Sequence, residues 1–204
     1  MTKSLLLAAL LMLALVGFGP GTAQAQPVLN HCNLSWSASN LYGVQGYNVY
    51  FSADPGQPGV KVGSVAGAST VAWSCPSPQS LGDSLKYATV AAYYSDGTES
   101  ARSNEVAFLL DTTPPSTPSG VTIAISDITG TVNWMGSSDS KRFDLYLTQA
   151  AGALGNLLVS SATTSATFST GGLPYGTHYV TVIATDAAGN VSAPSAQGSF
   201  TLSP

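Results

Sequence analysis

Charged side chains are scarce in this sequence, and their scarcity excludes several classes of partner. The 204 residues include six Lys and Arg and ten Asp and Glu, so the formal net charge is -4. Nucleic acids and anionic membranes are bound by clustered basic side chains that displace counterions. Six basic residues spread along the chain form no such cluster, and we expect neither nucleic acid nor an anionic membrane as partner.

Histidine and catalytic motifs are also rare, which argues against an enzyme. The two histidines, His31 and His178, each fall beside a predicted strand rather than near a nucleophile. No Ser lies in a Gly-x-Ser-x-Gly elbow, and the sequence has neither a haem-attachment motif nor a phosphate-binding glycine loop. We therefore predict that the protein is not an enzyme. Because these motifs are missing, we expect no cofactor of the kinds that they bind.

The one long apolar run stands at the N-terminus. Lys3 precedes apolar residues from Leu5 to Phe18, and small residues occupy positions Ala23 and Ala25. This pattern is typical of a secretory signal peptide, and the run is short for a membrane-spanning helix. We place the signal peptide at residues 1–25, and an uncleaved membrane anchor is the alternative. After cleavage we expect no membrane insertion.

The predicted mature chain, residues 26–204, has the length of two small β-domains. It keeps five basic and ten acidic residues and is rich in Gly, Ser, Thr and Pro. This composition favours short strands joined by many turns, and no stretch has the pattern of a long amphipathic helix. An all-β fold is expected.

Two stretches repeat the same landmarks at the same spacing. In the second, Tyr179 lies six residues after Leu173 and ten before Gly189; in the first, Tyr87 has the same relation to a Leu and a Gly. One β unit therefore occurs twice. The Pro-rich run DTTPPSTP between the repeats predicts a stiff linker at 112–118, because each Pro restricts its own φ and its predecessor. The predicted domains are 26–111 and 119–204.

The two cysteines, Cys32 and Cys75, are predicted to form a disulfide. Cys32 shares a strand face with Trp36, and Cys75 shares one with Trp73, so one antiparallel pairing would bring the sulfur atoms together. Paired cysteines are also the simplest state in an exported chain. Two buried thiols or an intermolecular bridge are the alternatives.

Both units carry motifs of a known family. The first resembles a bacterial fibronectin type III domain in Trp36, in VQGYNVY at 44–50, in Tyr93 and GTES at 97–100, and in SNEV at 103–106. The second is similar to the same family, and its DAAGNVS turn at 186–192 is equally similar to bacterial immunoglobulin-like repeats. The resemblance covers nearly all of 27–203 and implies two consecutive Greek-key sandwiches, immunoglobulin-like in architecture. The family's corner tyrosine is either Tyr179, or His178 takes its place.

The resemblance also implies a group of oxygen ligands at one pole of the second sandwich. Asp111, Asp139, Asp186 and Asn190 are expected to converge there. Calcium takes six to eight oxygen ligands, so these residues are the candidate calcium site. The alternative is that each Asp stabilises its own turn.

Two tyrosines are the candidate ligand-binding residues. The resemblance implies that Tyr42 and Tyr94 lie in loops at the free pole of the first sandwich. An exposed Tyr can stack on a sugar ring or anchor a protein partner. Ordinary loop packing is the alternative.

These observations predict a non-catalytic bacterial module that is secreted, held at the cell surface or kept in the periplasm. It would act in adhesion, in protein interaction or as a spacer, with a protein or polysaccharide of the envelope as partner. One alternative is a carbohydrate-binding accessory protein. Another is a subunit that exchanges strands in a surface assembly, because few residues precede the strand at 33–37 and the first edge strand is short or missing. The sequence leaves the oligomeric state open.

Overall fold

The computed structural model describes residues 9–10, 26–39 and 42–204. The chain divides into two compact units, Met1–Thr112 and Thr113–Pro204. The predicted signal peptide, residues 1–25, lies outside the described residues except for Ala9–Leu10. Within the described part, no helix is long and apolar enough to cross a membrane.

The first unit is a sandwich of two sheets. Its strands are β1 (Ala9–Leu10), β2 (Val28–Leu29), β3 (Leu34–Trp36), β4 (Val44–Ser52), β5 (Val60–Ala66), β6 (Ala72–Trp73), β7 (Ser84–Tyr94) and β8 (Val106–Leu110). One sheet has the order β1-β3-β6, and the other has the order β2-β8-β7-β4-β5. A short 3-10 helix, Pro78–Leu81, precedes β7.

The second unit repeats this architecture. Its strands are β9 (Ser119–Ser126), β10 (Thr129–Met135), β11 (Arg142–Thr148), β12 (Asn156–Ser161), β13 (Ser165–Ser169), β14 (Gly176–Thr185) and β15 (Gly198–Leu202). The sheets have the orders β13-β10-β9 and β12-β11-β14-β15. The predicted all-β fold of two consecutive sandwiches is therefore confirmed.

An aromatic pair sits at the same place in each core. Trp36 and Tyr47 in the first unit have ring centroids 5.4 Å apart, and so do Trp134 and Phe143 in the second. Both pairs meet edge to face, which is a favoured arrangement for buried rings. All four residues are buried, so both pairs are part of the core packing.

The predicted disulfide between Cys32 and Cys75 is present, with the Cα atoms 5.2 Å apart. β3 and β6 are antiparallel with Leu34 opposite Trp73, and the same register continued outward sets the cysteines opposite each other. β3 contains three residues and β6 contains only Ala72–Trp73. The disulfide therefore joins two very short strands.

In each unit, two serine hydroxyls form hydrogen bonds between the segment before the last strand and the strand that lies beside it. Ser103 Oγ accepts a hydrogen bond from the Val90 N–H at 3.0 Å, and Ser195 Oγ accepts one from the Val182 N–H at 2.9 Å. Ser100 and Ser192 accept from the alanine two positions further along the same strand in each unit. The serines belong to the runs SARS and SAPS, so this repeat is visible in the sequence.

Candidate functional site

A polar cluster lies on the outer face of the five-stranded sheet of the first unit. Side chains alternate between the two faces of a strand, so Asn48 and Tyr50 of β4 point away from the core that Val49 helps to form. Glu99 and Arg102, in the segment between β7 and β8, approach them there. Asn48 and Tyr50 are consequently buried even though they lie on the outer face.

Hydrogen bonds join the members of this cluster into one network. The Glu99 carboxylate accepts hydrogen bonds from Asn48 Nδ2 and from the Tyr50 hydroxyl. Ser64 Oγ donates to Asn48 Oδ1 at 2.6 Å. The Arg102 guanidinium carbon lies 3.0 Å from the centroid of the Tyr50 ring, a cation-π contact. The network therefore orients one carboxylate and one guanidinium on the same sheet face.

The network changes the ionisation of two of its members. Burial acts to raise the pKa of the Glu99 carboxyl, but hydrogen bonds from Tyr50 and Asn48 and the charge of Arg102 outweigh it, so the pKa lies below its usual value. Burial raises the pKa of the Tyr50 hydroxyl, and the hydrogen bond and charge of Glu99 act in the same direction. The stable state pairs an ionised Glu99 with a neutral Tyr50.

This pairing predicts that the stability of the first unit depends on pH. Because the pKa of Glu99 is depressed in the folded state, its contribution to stability is present above the unfolded pKa of about 4.3 and is lost as the pH falls through the folded value. We expect Glu99→Gln to lower the urea midpoint at neutral pH and to weaken its dependence on acid. Glu105→Gln is the control, since Glu105 contacts the Gly56 N–H outside the network. If the urea midpoint of Glu99→Gln falls with decreasing pH as steeply as that of the unchanged protein, the prediction is contradicted.

The second unit keeps only part of the cluster. Ser160 Oγ donates to Asp144 Oδ1 at 2.5 Å, as Ser64 does to Asn48, and Arg142 forms an ion pair with Asp144 at 2.9 Å. The positions that correspond to Glu99 and Arg102 in the repeat hold Val191 and Pro194. The arrangement in which a carboxylate and a guanidinium both contact one buried tyrosine is therefore found in the first unit, whereas the second unit has a direct ion pair.

The structure shows which residue of β7 and of β14 occupies the position that was expected for the corner tyrosine. His178 is buried, its Nε2 lies 2.8 Å from Pro174 O, and its ring stacks on Phe200 with centroids 5.1 Å apart. Since a carbonyl oxygen only accepts, Nε2 carries the hydrogen atom. Lys86 precedes Tyr87 as His178 precedes Tyr179, and its Nζ donates to Leu81 O at 2.7 Å.

A basic side chain thus makes the hydrogen bond that the family's corner tyrosine makes. The neighbouring tyrosines, Tyr87 and Tyr179, are half-buried on the other strand face. The ring of His178 is thus used in the corner, and the Nδ1 of the exposed His31 lies 2.9 Å from Asn30 Oδ1.

The residues of the predicted calcium site are only partly brought together. Asp186 is buried, and its two carboxylate oxygens accept from the backbone N–H and the Nδ2 of Asn190, both at 2.9 Å. Asp139 is exposed, and the Asp111 N–H donates to Leu29 O within the first unit. Among the described residues, no group of three or more His, Cys, Asp or Glu side chains is arranged to hold a metal ion. The calcium site stays a prediction.

Thermal unfolding in a chelator tests the calcium prediction. A bound calcium ion would stabilise the second unit through mass action, so the chelator is expected to lower the melting temperature. Asp186→Asn should remove that dependence, whereas Asp127→Asn, in the turn between β9 and β10, should keep it. A melting temperature that is the same with and without chelator contradicts the prediction.

The two candidate ligand-binding tyrosines differ in their environments. Tyr42 lies in a turn and is fully exposed, with a relative exposure of 102%. Tyr94 is the last residue of β7 rather than a loop residue, and its partly buried side chain packs against the first core. Tyr42 can therefore reach a ligand without any rearrangement, and most of Tyr94 is used in packing.

Sequence reasoning did not single out the polar cluster as a site. Glu99 lies about 50 residues from Asn48 and Tyr50 in the chain, so no local spacing connects them. The sequence did contain one signal. Along β4, Asn48 and Tyr50, whose side chains can form hydrogen bonds, alternate with three core residues. That alternation identifies an outward face but does not show what covers it.

Comparisons with known proteins define the class of the fold. No protein-family model and no curated protein matches this sequence. Solved structures do match, and they show that the chain has the fold of fibronectin type III domains.

Two of these structures cover most of the chain. The chain is similar to the FN1–FN3 domains of chicken CNTN1, with 16% identity and a TM-score of 0.62 over 89% of this chain, and it spans 64% of that chain. It is also similar to the fibronectin(III)-like modules of Clostridium thermocellum CbhA, with 15% identity and a TM-score of 0.50 over 89% of this chain and 91% of that one. At these identities the likeness establishes the fold alone.

Proposed function

We propose that the protein is a non-catalytic bacterial module that is exported and binds a protein of the cell envelope, in adhesion or as a spacer. The observation that carries the proposal is that a buried histidine, both cysteines and the Glu99 carboxylate are used in internal contacts. The His178 ring holds the strand corner, the cysteines form a disulfide, and the Glu99 carboxylate is bound by Asn48 and Tyr50. What remains for a partner is the surface of two sandwiches.

Export is supported by two features of the chain. A disulfide persists in oxidising compartments and is rare in the cytosol. The apolar N-terminal run has the length and flanking residues of a signal peptide. The fibronectin(III)-like modules of Clostridium thermocellum CbhA provide a bacterial example of the same fold.

Binding to isolated envelopes tests this function. The labelled chain is titrated onto envelopes of the producing organism, and saturable binding without consumption of envelope material is expected. Protease treatment of the envelopes should abolish the binding, because the proposed partner is a protein. Turnover of an envelope component by the purified chain, or the absence of saturable binding, contradicts the proposal.

The full exposure of Tyr42 favours a polysaccharide as the second candidate partner. An aromatic ring on a sugar contributes on the order of 1 kcal/mol, so Tyr42→Ala is expected to weaken retention on a polysaccharide affinity gel by roughly fivefold. Tyr175→Ala is the matched control, because Tyr175 is an exposed tyrosine of the second unit. Equal retention of both variants and the unchanged protein contradicts this candidate.

A further inference from the structure

The two cysteines of the disulfide lie in different surroundings. Cys32 is completely buried, with a relative exposure of 0%, and it belongs to the first core together with Leu34 and Trp36. Cys75 packs against the same core but is only partly buried. A reagent in solution can therefore approach the disulfide from the side of Cys75.

The ends of the two strands explain this difference. Cys32 lies two residues before β3, on the face that the period of a strand directs into the core. β6 ends at Trp73, so Cys75 belongs to the connection that leads to the 3-10 helix Pro78–Leu81. Pro76 follows Cys75 and has no N–H with which to extend the ladder. The chain around Cys75 therefore lies outside the sheet.

A small cleft opens beside Cys75. Its lining includes the apolar side chains of Trp73 and Leu81 and the exposed residue Ser77. Its volume of about 60 Å³ exceeds the space that one water molecule needs, so the cleft can hold a group as small as a thiol. Cys32 does not line the cleft. A small thiol can thus come next to Cys75 while Cys32 stays covered.

A positive charge lies close to this cleft. The Lys86 Nζ donates to the carbonyl oxygen of Leu81, a lining residue, at 2.7 Å. Lys86 is half-buried, whereas Asp54, which lines an adjoining groove with it, is exposed and more strongly screened by water and salt. The species that attacks a disulfide is the thiolate anion. The charge of Lys86 therefore favours the reactive form of a thiol in the cleft.

We propose that the folded protein exchanges its disulfide with small thiols at Cys75, which makes Cys75 a site of reversible modification. A thiolate in the cleft forms a bond to Cys75 Sγ, the bond between the two cysteines breaks, and the electron pair leaves with Cys32 Sγ. The thiolate is oxidised to a mixed disulfide, and Cys32 is reduced. Because Cys32 lies in the apolar core, its sulfur takes a proton from water and stays neutral. The link between β3 and β6 is then open.

Reduction of the oxidised full chain by dithiothreitol tests whether the folded protein exchanges. The chain is incubated without denaturant, quenched in acid, and its free thiols are counted by alkylation after unfolding. We expect a rate that rises in proportion to the dithiothreitol concentration and exceeds the rate of unfolding measured separately in denaturant. A rate that does not depend on dithiothreitol would show that only the unfolded chain is reduced, and it would overturn the inference.

Two single-cysteine variants identify the sulfur atom that reacts. Cys32→Ala leaves the thiol of Cys75, Cys75→Ala leaves that of Cys32, and each folded variant is treated with glutathione disulfide. Mass spectrometry should show the mixed disulfide forming at least about tenfold faster on Cys75, because a buried sulfur reacts only when the core opens. In urea the two rates should be similar. Equal rates in the folded state would overturn the inference, and the reduction of the unchanged chain tests it if either variant fails to fold.

Lys86→Tyr and Lys86→Arg test the contribution of the charge. A tyrosine hydroxyl can donate to Leu81 O, as the corner tyrosine of the family does to its own loop, but it is neutral. We expect Lys86→Tyr to slow the reduction by dithiothreitol roughly threefold at low salt, because it removes one unit charge near the attacking anion. Lys86→Arg keeps the charge and should react like the unchanged chain. Equal rates for Lys86→Tyr and the unchanged chain would overturn the role of Lys86.

Discussion

Replacing both Cys32 and Cys75 by Ala is expected to lower the unfolding free energy of the first unit by about 4 kcal/mol. The disulfide closes a chain segment with a sequence separation of 43 residues, and its loss returns that conformational entropy to the unfolded chain. The strands that it joins, β3 and β6, have three and two residues and few backbone hydrogen bonds of their own. A small sandwich without this link is expected to be marginally stable.

Denaturant unfolding of the double variant measures this effect. The described part of the second unit contains no cysteine, so its transition serves as an internal control and should keep its midpoint. Reduction of the unchanged protein should reproduce the lower midpoint of the variant. Equal midpoints for the first unit with and without the disulfide contradict the prediction.

His178→Ala is expected to destabilise the second unit by about 3 kcal/mol. The substitution removes a buried ring that stacks on Phe200, leaves a cavity, and deprives Pro174 O of its hydrogen bond. His178→Tyr should recover much of the loss, because a phenol offers a ring for the same stack and a hydroxyl for the same carbonyl.

Tyr179→Ala is the control that tests whether the loss of stability is specific to the residue at the corner. Tyr179 lies on the opposite face of β14 and is half-buried, so its truncation should cost clearly less than that of His178. The urea midpoints of the three variants are compared. A smaller loss for His178→Ala than for Tyr179→Ala would show that the corner does not depend on the histidine.

The disulfide and the strand corner differ in how far the sequence could predict them. The disulfide was predictable because Cys32 and Trp36 lie an even number of residues apart, as Trp73 and Cys75 do, and the period of a strand then places each pair on one face. The corner was not, because a shift of one residue exchanges the two faces. The packing of Phe200 against His178 decides it.

The polar cluster and the covered edge of β3 depend on contacts between distant residues. Glu99 reaches Tyr50 because the connection between β7 and β8 runs back along β7, where the Ser100 N–H donates to Ala92 O. The sequence did indicate that the first edge strand is short or missing. The structure adds that Val28–Leu29 pairs with β8 instead, which leaves the edge to Ala9–Leu10.

The sequence by itself determined two consecutive β-sandwiches and the cysteine pair, because strand periodicity and turn residues act over neighbouring positions. Tertiary structure alone decided which basic residue closes each corner, which side chains bury the outer face of β4, and where β2 pairs. These outcomes depend on contacts between backbone groups and rings that are far apart in the sequence, and no local sequence pattern predicts such contacts.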